Sequence, residues 1–354
     1  MTDKKRFGII GCGVIGDVHA QAISLLPDAE LVAVADNVPE KAQNLAAKFH
    51  VTPYNNLDEM LAKEQLDVVT IGTPSGQHGE QACAVMRSGR HVIVEKPMEI
   101  HLDSIAEMLR VQRESGVKLA VISQHRFDEA TQQVHALVEQ EAFGKLVMGN
   151  AIIPWWRSQK YYDSGAWRGT WALDGGGVLM NQSIHSIDLL QWLMGPVRSI
   201  TAYTDTLAHQ METEDVAVAV LRFANGALGT IAATTAAYPG VSTRIEIFGD
   251  QGSAVIEDDK LKYLHLARDE REGEEVGPYG IGKKAQSIEN ANKSTAQDPA
   301  AIAVRTHAAQ IADMVRAIRE DGTPLVDGIA GKHPVEIILG IYESARTRRE
   351  VILS

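Results

Sequence analysis

The sequence has few cysteines, no long apolar run and no excess of positive charge. Cys12 and Cys83 are its two cysteines, too few for a disulfide framework, and their spacing matches no metal-binding motif. No apolar run is long enough to cross a bilayer, and the charged N-terminus leads into a strand pattern without the apolar segment of a signal peptide. We therefore expect a cytoplasmic protein that holds no metal and uses both cysteines for packing.

The charge balance is acidic. A net charge of −12 at pH 7 argues against nonspecific binding to nucleic acid or to an anionic membrane, because the field of the protein repels phosphates. Any anionic ligand must then be held by a local arrangement of donors. The length of 354 residues exceeds the usual size of one hydrophobic core, so we expect two domains.

A glycine-rich loop lies between the first strand pattern and the first helical pattern. In GCGVIG, Gly11 is placed to make a tight turn, Gly13 to let the backbone approach a pyrophosphate, and Gly16 to let helix and strand pack closely. Val14 and Ile15 open the helix, whose N-terminal N–H groups attract a pyrophosphate. We assign all five residues to dinucleotide binding; the competing interpretation is a plain glycine turn of an α/β domain.

An acidic residue ends the second strand pattern. Asp36 follows residues 31–35 and lies 36 − 16 = 20 residues beyond Gly16. Its carboxylate can accept hydrogen bonds from the ribose hydroxyls of NAD and would repel the 2'-phosphate of NADP, and no arginine follows it in residues 37–40. The sequence therefore predicts NAD as the cofactor.

Polar residues also follow the next strands. Strand patterns at 67–72 and 91–94 end in TPSGQH and EKP, and a strand at 118–122 leads into SQHRF, with helices predicted between these strands. In an open parallel sheet, ligands bind outside the carboxyl ends of the strands, so these segments are expected to line one crevice. The residues that we assign to the cofactor there are Thr73, Pro74, His78, Glu95, Lys96 and Gln124.

One helical pattern carries polar residues on an otherwise apolar segment. If residues from about Val178 onward form a helix, Asn181, His185, Asp188 and Trp192 fall on one stripe. The spacing alone leaves two interpretations open. In one, His185 and Asp188 are hydrogen-bonded core residues; in the other, the stripe presents reactive groups. His78, His185 and Asp188 match no metal-ligand pattern.

The second half is rich in strand patterns. They lie at 146–154, 197–207, 216–223, 227–236, 243–248 and 253–257, and short turns between consecutive strands predict antiparallel pairing. Residues 155–171 hold four of the five tryptophans, interleaved with cations. These rings either cover the core or form a platform for a sugar ring, with Arg157 or Arg168 available to a carboxylate or phosphate.

Residues 268–299 are predicted to be a flap or an oligomer arm, and helices are predicted at 302–319 and 334–348.

The order of these motifs resembles the Gfo/Idh/MocA oxidoreductase family. It runs GxGxxG, an acidic strand end, TPxxxH, EKP and GGxxLxxxxIHxxD. The resemblance implies an N-terminal Rossmann domain, here 1–124, and a C-terminal α+β domain, here 125–354, with a large open, mostly antiparallel sheet and a last helix that can pack back on the first domain. That sheet often serves as an oligomer interface, so a homodimer or homotetramer is expected.

The same resemblance assigns roles to single residues. Lys96 matches the family's lysine at the nicotinamide and substrate, and His185 matches its catalytic histidine. Asn181 departs from the pattern, because many inositol-dehydrogenase-like members carry Asp there. An amide can orient a hydroxyl but cannot accept a proton. The substrate-binding residues predicted from the sequence are Lys96, Arg126, Trp167, Arg168, Asn181 and His185.

These assignments predict an NAD-dependent oxidoreductase that acts on a ring hydroxyl of a sugar, polyol or nucleotide-linked sugar. His185 would be the acid or base, because the ordinary pKa of histidine lies near working pH. Lys96 would stabilise developing alkoxide charge, and Asp188 is a candidate for fixing the tautomer of His185. Two alternatives stay open: a glycosidase that retains NAD through an internal redox cycle, and an NAD-binding sensor without turnover.

Overall fold

The computed structural model describes residues 4–269 and 304–353. They form two compact units. The first contains the chain up to Gln124, the segment Ala166–Gly176, and the later stretch that ends at Val335; the second contains the remaining described residues. The division after Gln124 predicted from the sequence assigned both later segments to the second domain, whereas their packing places them in the first unit.

The first unit is built on a six-stranded parallel sheet with the order β3-β2-β1-β4-β5-β6. This order is that of a Rossmann fold, as predicted. The strand β3 was not predicted, because it is three residues long and contains a proline, which is disfavoured within strands. The strands are β1 (Lys5–Ile10), β2 (Ala29–Ala35), β3 (Thr52–Tyr54), β4 (Val68–Ile71), β5 (His91–Val94) and β6 (Leu119–Val121).

Helices alternate with these strands and begin and end at residues suited to helix termini. Pro39 opens α2 at its first turn, Asn56 caps α3 by accepting a hydrogen bond from the Glu59 N–H at 2.8 Å, and Gly116 ends α5 with a left-handed φ of +69°. The helix α9 packs against α1, and its apolar residues join the core of this unit. The helices are α1 (Val14–Ser24), α2 (Pro39–Phe49), α3 (Leu57–Lys63), α4 (His78–Arg87), α5 (Leu102–Ser115) and α9 (Val304–Arg319).

The second unit contains an eight-stranded sheet with the order β13-β12-β11-β7-β10-β9-β8-β14. All neighbours are antiparallel except β7 and β10, which pair in parallel, so the predicted mostly antiparallel sheet is confirmed. The strand β13 was not predicted. The strands are β7 (Leu146–Pro154), β8 (Val197–Asp205), β9 (Val216–Phe223), β10 (Leu228–Thr234), β11 (Arg244–Gly249), β12 (Gly252–Glu257), β13 (Lys260–Leu266) and β14 (Val351–Ile352).

Two helices of this unit were not predicted, namely α6 (Glu129–Glu139) and α7 (Gln159–Asp163). The predicted helix from Val178 is wrong in its first turn. Residues Val178–Ser183 form a π-helix, and the α-helix α8 spans Ile184–Met194. A π-helix adds residues to each turn, so the predicted stripe changes register between Asn181 and His185; such segments are frequent at functional sites.

The last helix, α10 (Gly328–Thr347), begins six residues before the predicted start at Pro334. Proline normally opens a helix, but here the Asp327 side chain accepts a hydrogen bond from the Ala330 N–H at 2.8 Å and starts the helix earlier. None of the helices in the described parts of the chain is long and apolar enough to span a membrane. The predicted flap or arm at 268–299 lies outside the described residues beyond Asp269.

Candidate active site

The glycine loop has the geometry that a dinucleotide requires. Gly11 has a left-handed φ of +96°, and a Cβ there would lie 2.5 Å from the Gly72 carbonyl oxygen. A Cβ at Gly16 would lie 2.1 Å from the Gly11 carbonyl oxygen, so helix and loop are in close contact at that point. A Cβ at Gly13 would meet nothing within 4 Å, and Val14, the first residue of α1, is 73% exposed. The open N-terminus of α1 therefore fits a pyrophosphate group.

Asp36 lies beside this loop at the end of β2. One carboxylate oxygen accepts the Cys12 N–H at 2.8 Å and the other accepts the Val38 N–H at 2.8 Å, so the side chain is fixed in orientation. A carboxylate oxygen has two lone pairs, so each can still accept a ribose hydroxyl. Burial and the charge of Asp36 raise the pKa of the Cys12 thiol to about 12, which keeps it protonated. This supports the interpretation of Cys12 as a packing residue.

The TPSGQH segment follows β4 as predicted, and its histidine is used within the protein. His78 is buried, with Nδ1 2.7 Å from the Pro97 carbonyl and Nε2 2.9 Å from the Thr73 carbonyl. The Thr73 hydroxyl donates to Gln81 at 2.7 Å. His78 thus links the segments that follow β4 and β5. Its predicted contact with the cofactor, and that of Pro74, stay predictions.

Glu95 lies between two histidines that the sequence reading did not connect with it. Its Oε1 is 2.9 Å from His19 Nε2 and 3.7 Å from His307 Nε2, and all three side chains are buried. Burial alone would raise the pKa of Glu95, but the two histidines hold that pKa well below its usual range. Glu95 Oε2 accepts the Lys96 N–H at 3.0 Å, and the peptide between Lys96 and Pro97 is cis. The backbone that carries Lys96 is thus fixed by a buried ionised carboxylate.

The segment that carries His185 is buried almost throughout. From Val178 to Gln191, every residue is buried except Asn181 and His185, which are partly exposed. The sequence predicted that this segment presents an amide, an imidazole and a carboxylate; Asn181 and His185 are partly exposed, whereas Asp188 is buried, so the prediction is wrong for the carboxylate. Gln124, which ends the first stretch of the first unit, is buried.

Glu214 anchors the start of this segment. It accepts the Gly177 N–H at 3.0 Å on one carboxylate oxygen, and the Leu179 N–H and the Tyr342 hydroxyl at 2.9 Å each on the other. A Cβ at Gly177 would lie 1.9 Å from the Glu214 carbonyl oxygen, which explains the glycine. Burial raises the pKa of Glu214 to about 7 against the opposing effect of its hydrogen bonds. Glu214 was not predicted as a site residue. The polar run TED at 213–215, directly before a strand pattern, is the sequence feature that could have pointed to it.

Asp188 is bound to Arg126. Arg126 Nε and Nη2 donate to the two Asp188 oxygens at 2.7 and 2.5 Å, and both side chains are buried. The guanidinium also lies 5.0 Å from the centre of the Trp192 ring, which stacks on His135 at 3.8 Å. Arg126 is therefore the partner that orients Asp188, whose predicted contact with His185 stays a prediction.

His125 faces His185. The centres of the two rings lie 5.0 Å apart with an interplanar angle of 69°. His125 Nδ1 is 2.8 Å from Asp128 Oδ2 and 3.0 Å from Asp259 Oδ1. The sequence reading missed this cluster because its carboxylates come from the start of α6 and from the β12–β13 turn.

The aromatic segment is divided between the two units. In the second unit, Arg157 is buried with its guanidinium 4.8 Å from the Trp155 ring and 5.4 Å from the Tyr161 ring, and it donates to the Trp156 carbonyl at 3.0 Å. Arg157 is thus engaged by its neighbours, while the choice between core cover and sugar platform for these rings stays open. In the first unit, the Arg168 guanidinium lies 4.5 Å from the centre of the Trp167 ring, and both residues are partly exposed. Arg168 is thus the more accessible of the two candidate anion-binding arginines.

Known proteins match the chain over both units. The family model described as "Oxidoreductase family, NAD-binding Rossmann fold" matches residues 5–123, and the GFO/IDH/MocA C-terminal domain matches residues 131–255. An uncharacterised oxidoreductase of Synechocystis sp. is 30% identical over 73% of this chain and 73% of its own length. Inositol 2-dehydrogenase of Rhizobium meliloti is 29% identical over 74% of this chain and 78% of its own length.

Solved structures are also similar over nearly the full length. The WlbA dehydrogenase from Bordetella pertussis, in complex with NADH and UDP-GlcNAcA, is 35% identical with a TM-score of 0.85 and covers 99% of both chains.

Proposed function

Because the chain belongs to the Gfo/Idh/MocA family of NAD-binding oxidoreductases, we propose that it is an NAD-dependent dehydrogenase acting on a ring hydroxyl of a sugar, polyol or nucleotide-linked sugar. The observation that carries this proposal is the buried segment from Val178 to Gln191, where Asn181 and His185 are the partly exposed residues. A buried segment that leaves an imidazole and an amide partly exposed suits proton transfer to or from a bound hydroxyl.

Three side chains divide the chemistry. NAD, when bound, supplies the acceptor for the hydride that leaves the alcohol carbon. His185 takes the hydroxyl proton in oxidation and returns it in reduction. Lys96 donates a hydrogen bond to the reacting oxygen and stabilises its developing negative charge. Asn181 orients the hydroxyl through its amide and takes no proton.

The cofactor is held by residues of the first unit. The N-terminal N–H groups of α1 would bind the pyrophosphate, and Asp36 would accept the adenosine ribose hydroxyls. The open space at Gly13 supports this assignment, since a ligand can approach the backbone closely there. Thr73, Glu95 and Gln124 remain the proposed contacts to the rest of the dinucleotide.

A nucleotide-linked, anionic sugar is the substrate class that we favour. The WlbA dehydrogenase solved with UDP-GlcNAcA shares 35% identity over 99% of the chain, whereas the inositol 2-dehydrogenase shares 29% over 74%. Arg168, stacked on Trp167, offers planar N–H groups for a phosphate or carboxylate. Arg126 would contribute through N–H groups other than those that Asp188 accepts.

The test is the absorbance of reduced nicotinamide during incubation of the protein with NAD and a panel of polyols, free sugars, uronates and nucleotide sugars. We expect a rise with nucleotide sugars that is absent in Lys96→Ala. A rise with polyols alone would support the dehydrogenase and reject the substrate class. No rise with any compound would reject net oxidation, and turnover of aryl glycosides would then indicate an NAD-retaining glycosidase, whereas NAD binding without turnover would indicate a sensor.

We also propose that the chain forms a homodimer or homotetramer through one face of its eight-stranded sheet. Tyr203 and Val218 are paired across β8 and β9, and with Val220 they are 51–75% exposed. Such a contiguous apolar patch is unusual on a monomer. Light scattering of Val218→Glu/Val220→Glu should show monomers, while the parent protein should show a dimer or tetramer.

Both cysteines are free thiols, which supports a cytoplasmic enzyme.

A further inference from the structure

His125 and His185 form a pair that cannot hold two charges easily. His125 lies in the short 3-10 turn Gln124–Phe127, and His185 lies in the first turn of α8. Their ring centres are 5.0 Å apart in an edge-to-face arrangement. Two imidazolium rings at this separation repel each other strongly in a partly buried site, so a positive charge on one ring disfavours a positive charge on the other.

Two carboxylates stabilise a positive charge on His125 rather than on His185. Asp128 Oδ2 and Asp259 Oδ1 both lie within hydrogen-bond distance of its Nδ1, at 2.8 and 3.0 Å. A ring nitrogen between two carboxylate oxygens must carry its proton, and a cationic ring satisfies both oxygens better than a neutral one. Burial lowers the pKa of His125, but Asp259 and Asp128 outweigh this and raise it to about 10.

The backbone is arranged to bring the carboxylates there. Asp128 occupies the N-cap position of α6, where Asp usually bonds the helix N–H groups, yet its side chain makes no such bond and reaches His125 instead. Asp258 and Asp259 form the β12–β13 turn with left-handed φ values of +46° and +62°, which are costly for residues other than glycine. The helix α6 packs against α8, β12 and β13, so all members of the cluster belong to one packed region of the second unit.

We propose that His125 is a positioning residue: held as a cation by Asp128 and Asp259, it keeps the facing His185 imidazole neutral and its ring orientation fixed. Where the reaction is concerned, this rests on the proposed function, since a neutral His185 is the form that accepts a proton from an alcohol. Other charged groups on the elements packed here include the mutually bonded Arg126 and Asp188, and Lys260, which acts on Asp259. Arg244 of β11 pairs with Glu246 and Glu257, and His135 of α6 lies 3.8 Å from Glu139.

Histidine NMR tests the inference without a substrate. In protein labelled at its histidine rings, we expect the His125 signal to stay in the imidazolium form from pH 6 to 8.5 and the His185 signal to be neutral at pH 7. In His125→Gln, the titration midpoint of His185 should rise by roughly one pH unit or more. His135→Gln is the matched control. This histidine stacks on Trp192 and not on His185, so its replacement should leave the titration midpoint of His185 unchanged.

Asp259→Asn is a second variant that keeps both rings. It should lower the midpoint of His125, which tests the charge assignment if His125→Gln does not fold. An unchanged His185 midpoint in His125→Gln, or an unchanged His125 midpoint in Asp259→Asn, would overturn the inference. If the midpoints move but no substrate is oxidised, the proposed function fails and the charge assignment stands; if substrate is oxidised but the midpoints do not move, only this inference fails. With an active substrate, the acidic limb of the turnover profile should move with the His185 midpoint.

Discussion

The buried ion pair between Arg126 and Asp188 provides the sharpest test of how the His185 helix is held. The two side chains are 4% and 3% exposed and share two hydrogen bonds, at 2.7 and 2.5 Å. In Asp188→Ala the guanidinium stays buried without its counter-charge. Removing one partner of a buried pair typically costs about 3–5 kcal/mol of unfolding free energy, because the remaining charge is left desolvated and unpaired.

A double replacement separates this penalty from the net value of the pair. In Arg126→Met/Asp188→Leu no charge is left behind, so most of the lost stability should return. Arg126→Met alone should also be destabilising, since it leaves the Asp188 carboxylate buried. The coupling energy of the cycle is then expected to be several kcal/mol.

Urea unfolding of the four proteins, followed by far-UV circular dichroism and by tryptophan fluorescence, measures these values. Trp192 reports locally, because the Arg126 guanidinium lies 5.0 Å from its ring centre. The exposed pair of Arg346 and Glu343 is the matched control, and Glu343→Ala should have a far smaller effect. The reasoning is refuted if Asp188→Ala costs no more than Glu343→Ala, or if the double variant loses as much stability as the two single variants together. Turnover by the folded double variant would also exclude a required contact between Arg126 and substrate.

Three further predictions concern the cofactor, the proton transfer and the pH dependence of stability. Asp36→Ala should weaken the preference for NAD over NADP, measured as the ratio of their dissociation constants; an unchanged ratio would contradict our account of cofactor choice. His185→Ala should lower turnover by about a hundredfold or more while NAD binding persists, and turnover within a few-fold of the parent protein would contradict its role. The pKa of Glu214, raised to about 7 from 4.5, means that the folded state holds a proton that the unfolded state releases, so unfolding free energy should fall by about 3 kcal/mol as pH rises from 4.5 to 7. Urea unfolding at pH 5 and pH 8 should show this fall in the parent protein and a smaller one in Glu214→Gln.

Much of the first unit was predictable because its signals are local. A glycine loop between a strand and a helix, an acid at the end of β2, and polar residues after β4 and β5 each follow from a few adjacent residues. The parallel order of the strands then follows from the alternation of strands and helices. Segment 166–176 could not be assigned to this unit from sequence, because it lies within the second half of the chain and carries no strand or helix pattern of its own.

The partners of the site residues were not predictable, because they come from distant parts of the chain. Glu95 is placed between His19 and His307, which are 307 − 19 = 288 residues apart. Asp188 binds Arg126, which lies 188 − 126 = 62 residues earlier in the chain, and no sequence feature pointed to this partner. Helical spacing identifies which residues are neighbours on one helix, but it does not reveal which side chains another element brings to them.

Each unit holds a histidine–carboxylate cluster beside a residue proposed to act in the reaction, buried in the first unit and partly exposed in the second. In the first, the ionised Glu95 lies between two histidines and accepts the Lys96 N–H; in the second, His125 lies between two aspartates and faces His185. Buried charges of this kind cost folding energy unless they are paired, and replacing them by apolar groups is often neutral or stabilising. A chain selected for stability alone has little reason to hold them. Perturbed charges of this kind cluster at functional sites, and their position beside Lys96 and His185 is where they would tune the proton transfer that we propose.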